Sequence, residues 1–275
     1  PAPGGTTLPL AELGSFERIQ EDPIIYHKDL RPLEYVVGDA VGRLGAPIYP
    51  MAKIDEKLAD YVTPDGQTMS GTMMGKPADN GLSAFEWAGE WTVTYETFRD
   101  MGAAFAVALV LIYMLVVGMF GNFLVPAIIM APIPLTLLGI VPGHWLVSVL
   151  TGSNAYFTAT SMIGFIALAG IIVRNSILLV DFAVEEVRQG VEVREAVLRS
   201  CKARTRPIMI TAFALIGGAS VILTDPIFQG MAISLMFGVF VSTLLTLLVI
   251  PLGTVSASKS LRAIAAARNA EAEQA

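Results

Sequence analysis

From Met101 to Val173 the chain contains no Asp, Glu, Lys or Arg. A soluble domain carries charge at about a quarter of its residues, so this stretch cannot be the skin of a water-exposed globule. Pro207 to Ser258 repeats the pattern, with Asp225 as its single charge. Crossing a bilayer core takes about 20 apolar helical residues, and five segments qualify, near 101–119, 123–142, 157–181, 207–224 and 228–252. The charge deficit is local. Residues 1–100 read as an ordinary water-soluble polypeptide, with 16 acids against 8 bases. The expected fold is a membrane all-α bundle of five transmembrane helices (99–255). A partial α+β periplasmic lobe (1–98) precedes it, an amphipathic cytoplasmic joint (183–206) interrupts it and a cytoplasmic tail (256–275) follows.

Orientation follows from Lys and Arg near the membrane, which concentrate on the cytoplasmic side. The joint between the third and fourth segments holds Arg188, Arg194, Arg199, Lys202, Arg204 and Arg206, and the tail holds Lys259, Arg262 and Arg268. The joints after the second and fourth segments hold no base. With five crossings, residues 1–100 are then expected on the outer side of the membrane. An acidic outer piece and no clustered basic face exclude a nucleic-acid binder. Cys201 is the only cysteine, so no internal disulfide is possible. The opening PAPGGTTLPL lacks the basic and apolar regions of a signal peptide, so the expectation is that either an upstream segment has been cut away or the chain is an excised fragment.

Local patterns refine this picture. Pro126, Pro132 and Pro134 in the second segment predict a kinked helix. Val193, Val197 and Cys201, a turn apart, predict an amphipathic helix over Val191–Ala203, lying on the inner leaflet. Pro207 is read as the first turn of the fourth membrane helix, with Thr211 near the level of Asp181. In the outer piece TTLPLAEL and SFERIQ predict short strands, as does RPLEYVVGDAVG. PMAKIDEKLADYV predicts a helix, TPDGQ a turn, and EWTVTYETF a weak strand.

The residue that asks for a function is Arg174, inside GIIVRNSILLVDF. An intramembrane charge costs roughly 2.5–3.5 kcal/mol on insertion scales and normally faces a bundle interior. Thr160, Gly164 and Ala167 lie on its side at helical spacing, and small residues mark helix contacts. Asn175 and Ser176 add polarity. Snorkelling to the cytoplasmic interface is the alternative. The apolar region offers only two acids, Asp181 at the cytoplasmic end of the same helix and Asp225 at the outer end of the fourth. Neither is level with Arg174, so its carboxylate partner is expected on a segment outside this chain. Arginine stays protonated and would respond to the charge of that partner rather than carry a proton.

GIIVRNSILLVDF, RTRPIMITAFALIGG and ISLMFGVFVSTLLTLLVIPL, in this order, resemble the C-terminal membrane half of resistance-nodulation-division (RND) efflux permeases of the acriflavine-resistance type. YETFRDMG and PIPLTLLG extend the resemblance over nearly the whole chain. The resemblance implies twelve membrane helices in two similar halves, of which this chain would be the last five helices, a C-terminal fragment. It implies proton antiport of toxic or hydrophobic compounds, with no cofactor beyond the proton-motive force. It also implies a homotrimer working with a periplasmic adaptor and an outer-membrane channel, and a missing N-terminal half that carries two aspartates. Arg174, Thr211 and Arg204 match the family's proton relay, with Asn175 and Asp181 as supporting residues. The family's drug exporters commonly carry Lys where this chain has Arg174, and the bulkier, bidentate guanidinium puts the coupling geometry in question. A non-transporting scaffold or inactive relative, and a metal or lipid exporter of the same superfamily, are the alternatives.

Other features carry less. Met69, Met73 and Met74 could bind Cu(I) through soft thioethers but more often fill gaps. His27 and His144 lack ligand spacing, and His144 beside Trp145 is read as a membrane-interface residue. Glu86, Glu90 and Glu96 read as a solvated acidic face. No phosphate loop, nucleophile elbow or zinc motif occurs, so neither an enzyme nor a metal site is expected.

Overall fold

The computed structural model describes residues 14–42, 45–64, 66–77, 83–152 and 154–274. Two compact units divide the chain, one over residues 1–40 and one over 41–275. In the first, β1 (Tyr26–Lys28) and β2 (Arg31–Leu33) form an antiparallel hairpin. Its two-residue loop is Asp29-Leu30, both with positive φ, the backbone that matches the twist of paired strands. SFERIQ is not a strand. It has no partner strand to receive its backbone groups, and a lone extended segment gains nothing from alternation. TTLPLAEL lies outside the described residues.

The second unit opens with α1 (Ile48–Ala59), as its apolar spacing requires. A turn at Thr63–Gln67 follows, closed by the Thr63 amide donating to the Gln67 carbonyl at 2.8 Å. Next come β3 (Ser70–Thr72) and β4 (Ala84–Glu86), paired in parallel. A Cβ at Gly71 would collide with the Phe85 ring, so only glycine fits there. The Trp87 indole donates to Asp55 at 2.9 Å, and that of Trp91 to the Met73 carbonyl at 2.9 Å.

The weak strand expected at EWTVTYETF is instead the first two turns of α2 (Glu90–Phe120). With no strand beside it, the segment joins the helix that its C-terminal neighbours propagate. Gly121 ends α2 in the left-handed conformation (φ 60°), and the Asn122 side chain accepts from the amides of Leu124 and Val125 at 2.8 and 3.2 Å. The Gly-Asn pair thus closes one helix and caps the next. The second span is broken into α3 (Leu124–Met130), α4 (Pro132–Leu135) and α5 (Leu137–Thr151). The breaks fall at the prolines, as the missing N–H groups dictate. The span does not stop near residue 142. Pro142 lies within α5, and GHWLVSVL continues the helix to Thr151.

Three long helices complete the bundle: α6 (Ala159–Arg188), α7 (Val193–Ile222) and α8 (Gln229–Ser256). The expected interfacial helix and fourth membrane helix are one element, with Pro207 inside α7. Its Val193–Val197 stripe packs against protein rather than the inner leaflet, joining the core with Val180, Ala183 and Val184 of α6. The Ser200 hydroxyl fixes this pairing by donating to the Leu179 carbonyl. The tail is helical too, as α9 (Ser258–Gln274). It buries Leu261, Ile264 and Ala265, while Arg268 pairs with Asp181 at 2.8 Å and stands 5.6 Å from the Phe120 ring centroid.

Among the described residues five helical spans are therefore long and apolar enough to cross a membrane. In their most apolar windows the second, third and fifth are 44% buried, whereas α2 is 11% and α7 17% buried. The fifth, α8, is the central element, packed by α5, α6 and α7. Glycine permits that close packing. A Cβ on Gly139 would lie 2.6 Å from Val241, and one on Gly143 would strike Phe237. The Gly139/Gly143 pair is a close-approach motif of membrane helices.

Candidate functional site

Arg174, Gly170 and Ala167 project from one face of α6 toward Thr211, Ala214 and Leu215 of α7, lining an open groove of about 480 Å³. Among the described residues no carboxylate lies within ion-pair distance of Arg174. Both acids considered for it are engaged elsewhere. Asp181 holds Arg268 of α9, and Asp225 accepts from the amides of Ile227 and Phe228 at 2.8 and 3.1 Å, capping the entry to α8. Arg174 is exposed in the groove, with only small and apolar side chains and one hydroxyl around it. Gly164 does not share that face. It packs against Met231 and Ser234 of α8, because the ten residues from Gly164 to Arg174, about 2.8 turns, rotate it off the Arg174 side.

Thr211 is not in a first turn, since α7 begins at Val193. It stands level with Arg174 and Ile171 rather than with Asp181. Its hydroxyl donates back to the carbonyls of Pro207 at 2.7 Å and Ile208 at 3.0 Å, which leaves both lone pairs free to accept. Behind it a cavity of about 10 Å³ opens between α6, α7 and α8, touched by Asn175, Thr211, Ser242, Thr243 and Thr246. That is about the least space that admits one water molecule. Ser242 and Thr243 also donate to their own helix, both to the Val239 carbonyl. The cavity wall therefore presents mainly acceptors, and Thr211, which also borders the groove, joins the two spaces.

Arg204 is half-buried, just under one turn before Pro207 and about two turns before Thr211 on α7. Its guanidinium stands 5.6 Å from the Phe182 ring centroid, and its Nε is buried with no hydrogen-bond partner. An unpaired buried donor is unusual. Ser176 is the second such group, with a buried hydroxyl that finds no partner on the core side of α6. Arg174, Asn175, Thr211 and Arg204 thus line the α6–α7 side, whereas Asp181 belongs to a separate contact with the tail helix.

His144 departs from expectation. It is buried rather than at the membrane interface. Nδ1 lies 3.1 Å from the Ala155 carbonyl, Nε2 3.4 Å from the Ser234 hydroxyl, and the ring meets Phe157 edge-on. Its neighbour Trp145 takes the exposed side instead. Reading PGHW as the end of a helix hid this, because the helix continues and turns His144 onto α8. Among the described residues no group of three His, Cys, Asp or Glu side chains could hold a metal ion.

Five apolar spans around a glycine-packed central helix define a multi-pass membrane protein. A family model described as the AcrB/AcrD/AcrF family matches residues 77–253, more than half of the chain, and the protein belongs to this family of RND permeases, which are transporters. It is similar to swarming motility protein SwrC of Bacillus subtilis (strain 168), 32% identical over 163 residues that cover 57% of this chain and 15% of that protein. It is also similar to multidrug resistance protein MdtC of Serratia proteamaculans (strain 568), 31% identical over 200 residues, 70% of this chain and 18% of the relative. MdtC of Cronobacter sakazakii is 28% identical over 193 residues, 68% of this chain and 18% of the relative. The chain spans less than a fifth of the length of these relatives.

Proposed function

We propose that this chain supplies the basic side of the proton-coupling site of an inner-membrane efflux permease, which exchanges toxic or hydrophobic compounds for protons. The observation that carries the reading is Arg174, a permanent cation in a membrane-level groove with no carboxylate opposite it among the described residues. The groove is the surface onto which the acid-bearing helices of the permease's other half dock. A carboxylate there pairs with the guanidinium while ionised. Protonation weakens the pair and frees the two helix sets to shift, so a local charge change biases a two-state element. Thr211, with both lone pairs open, accepts a hydrogen bond from the protonated acid, and the unpaired Nε of Arg204 offers a donor on the cytoplasmic side of the groove. The driving force is the proton gradient, without a bound cofactor. The working assembly is a homotrimer joined to a periplasmic adaptor and an outer-membrane channel. The MdtC relatives, by name multidrug resistance proteins, support compounds of the drug class as substrates.

The test is export and proton flux in vesicles containing the intact permease. Arg174→Ala abolishes coupled export at an unchanged membrane level of protein. An Arg174→Ala transporter that exports at the wild-type rate would falsify the reading.

A further inference from the structure

We propose that the outward face of α7 holds an anionic phospholipid of the inner leaflet, its headgroup on Lys202 and Arg206 and its acyl chain along Ile210, Phe213 and Val221. The proposal goes beyond the transport reading and needs from it only the cytoplasmic placement of the α6–α7 joint. At 3.6 residues per turn these positions recur on one side of the helix, roughly half a turn away from Thr211 and Leu215, which face the groove. The site therefore lies apart from the Arg174 groove.

Two independent features meet on this face. The first is charge. Among the described residues neither Lys202 nor Arg206 has an acidic partner, whereas Arg199, one turn earlier, is already held by Glu186 at 3.3 Å and Glu195 at 3.2 Å. The bare bases stand where the helix passes from its polar to its apolar half, the depth of lipid phosphates. The second feature is shape. Ile210, Phe213 and Val221 are 60%, 65% and 76% exposed. Between the last two, nothing lies within 4 Å of the space a Cβ on Gly217 would take. The glycine opens a notch between two large side chains, wide enough to seat a chain of methylenes. From Arg206 to Val221 the helix rises about 22 Å, the depth of one leaflet including its headgroups. Base, ridge, notch and ridge thus match phosphate and acyl chain in order. Positive charge alone would orient the protein but would not require this register with the apolar ridge.

The test uses the intact permease and native mass spectrometry, with equal amounts of phosphatidylglycerol and phosphatidylcholine carrying identical acyl chains. The wild type retains phosphatidylglycerol in preference. Lys202→Gln with Arg206→Gln lowers that preference by about thirtyfold, the equivalent of ~2 kcal/mol for two bases at ~1 kcal/mol each. Phe213→Ala weakens retention of both lipids without changing the preference. Lys259→Gln with Arg262→Gln, a control on α9, leaves both unchanged. The double substitution on α7 is at exposed positions, and monodispersity on size exclusion reports that it folds. A folded double variant with undiminished preference would overturn the site, and so would an equal loss from the α9 control, which would reduce the effect to bulk positive charge.

Discussion

At the scale of single residues, the position of Arg174 was legible from the sequence because a charge in an apolar run is expensive and has few reasons to exist. The scarcity of acids was equally legible, since those of the apolar region could be counted and come to Asp181 and Asp225. The structure adds why neither one is available: Asp181 is held by a tail helix that no apolar pattern announced, and Asp225 is a helix cap. Thr211 is less simple. Its hydroxyl bonds back to its own helix, as threonines in helices often do, and yet it borders both the groove and the water-sized cavity. Replacing it with valine keeps the shape and removes the acceptor. Thr211→Val is expected to reduce proton-coupled export several-fold with normal protein level, while Thr211→Ser, which keeps the oxygen, restores most of it. Equal export by Val and Ser variants would assign Thr211 to packing alone. His144 was not legible. Its burial depends on α5 running on to Thr151, and helix ends are hard to place where the sequence stays apolar past the last turn.

At the scale of elements, hydropathy located the five spans but not their joints. The strand-like reading of EWTVTYETF and the separation of α7 at Pro207 both treated a local signal as a boundary. In each case the neighbouring helix overrode it, because helix propagation beside a formed turn is favourable. The Gly139/Gly143 contact shows which local signal has structural consequences. A methyl group at Gly143 would enter the space of Phe237 on the central helix, and overpacking of this kind costs about 1–3 kcal/mol. Gly143→Leu is therefore expected to lower the melting temperature of the detergent-solubilised protein by several degrees, and Phe237→Ala introduced with it to recover part of the loss. The tail helix gives a second comparison. Arg268 and Asp181 are partly exposed, and such pairs contribute about 0.2–1 kcal/mol. Leu261 is fully buried, and its truncation costs about 2–5 kcal/mol. Leu261→Ala should thus destabilise the docked tail far more than Arg268→Ala in the same thermal assay. The reverse order would mean that the ion pair, not packing, holds α9.

At the scale of the whole molecule, the two ends of the membrane unit carry different chemistry, and this predicts which way it faces. At one end α9 folds back on the α6–α7 joint, with Arg268 on Asp181 and the Asn269 amide reaching the Arg188 carbonyl at 3.5 Å. The bases of the joint and those of the tail therefore share a side, and both weigh toward the cytoplasm. At the other end the loop between α5 and α6 meets Gly42 and Gly45, at the start of the second unit. The Asn154 side chain donates to the Gly42 carbonyl at 2.9 Å, and the Tyr156 hydroxyl accepts from the Gly45 amide at 3.1 Å. Residues from Gly42 onward thus belong with the end that holds no base between α5 and α6. The orientation we predict satisfies every joint: residues 1–100 periplasmic, Gln189 and the tail cytoplasmic. Alkaline phosphatase gains activity only after export, whereas a fluorescent protein of the ordinary kind matures only inside. A phosphatase fusion after Asn154 should be active, and one after Gln189 or after Asn269 silent, with the fluorescent fusions giving the opposite result at each site. Activity at Gln189 would invert the bundle. It would place Lys202, Arg206 and the tail bases outside, against the charge asymmetry that orients membrane proteins, and it would expose the Arg174 groove's Arg204 side to the periplasm rather than to the cytoplasm.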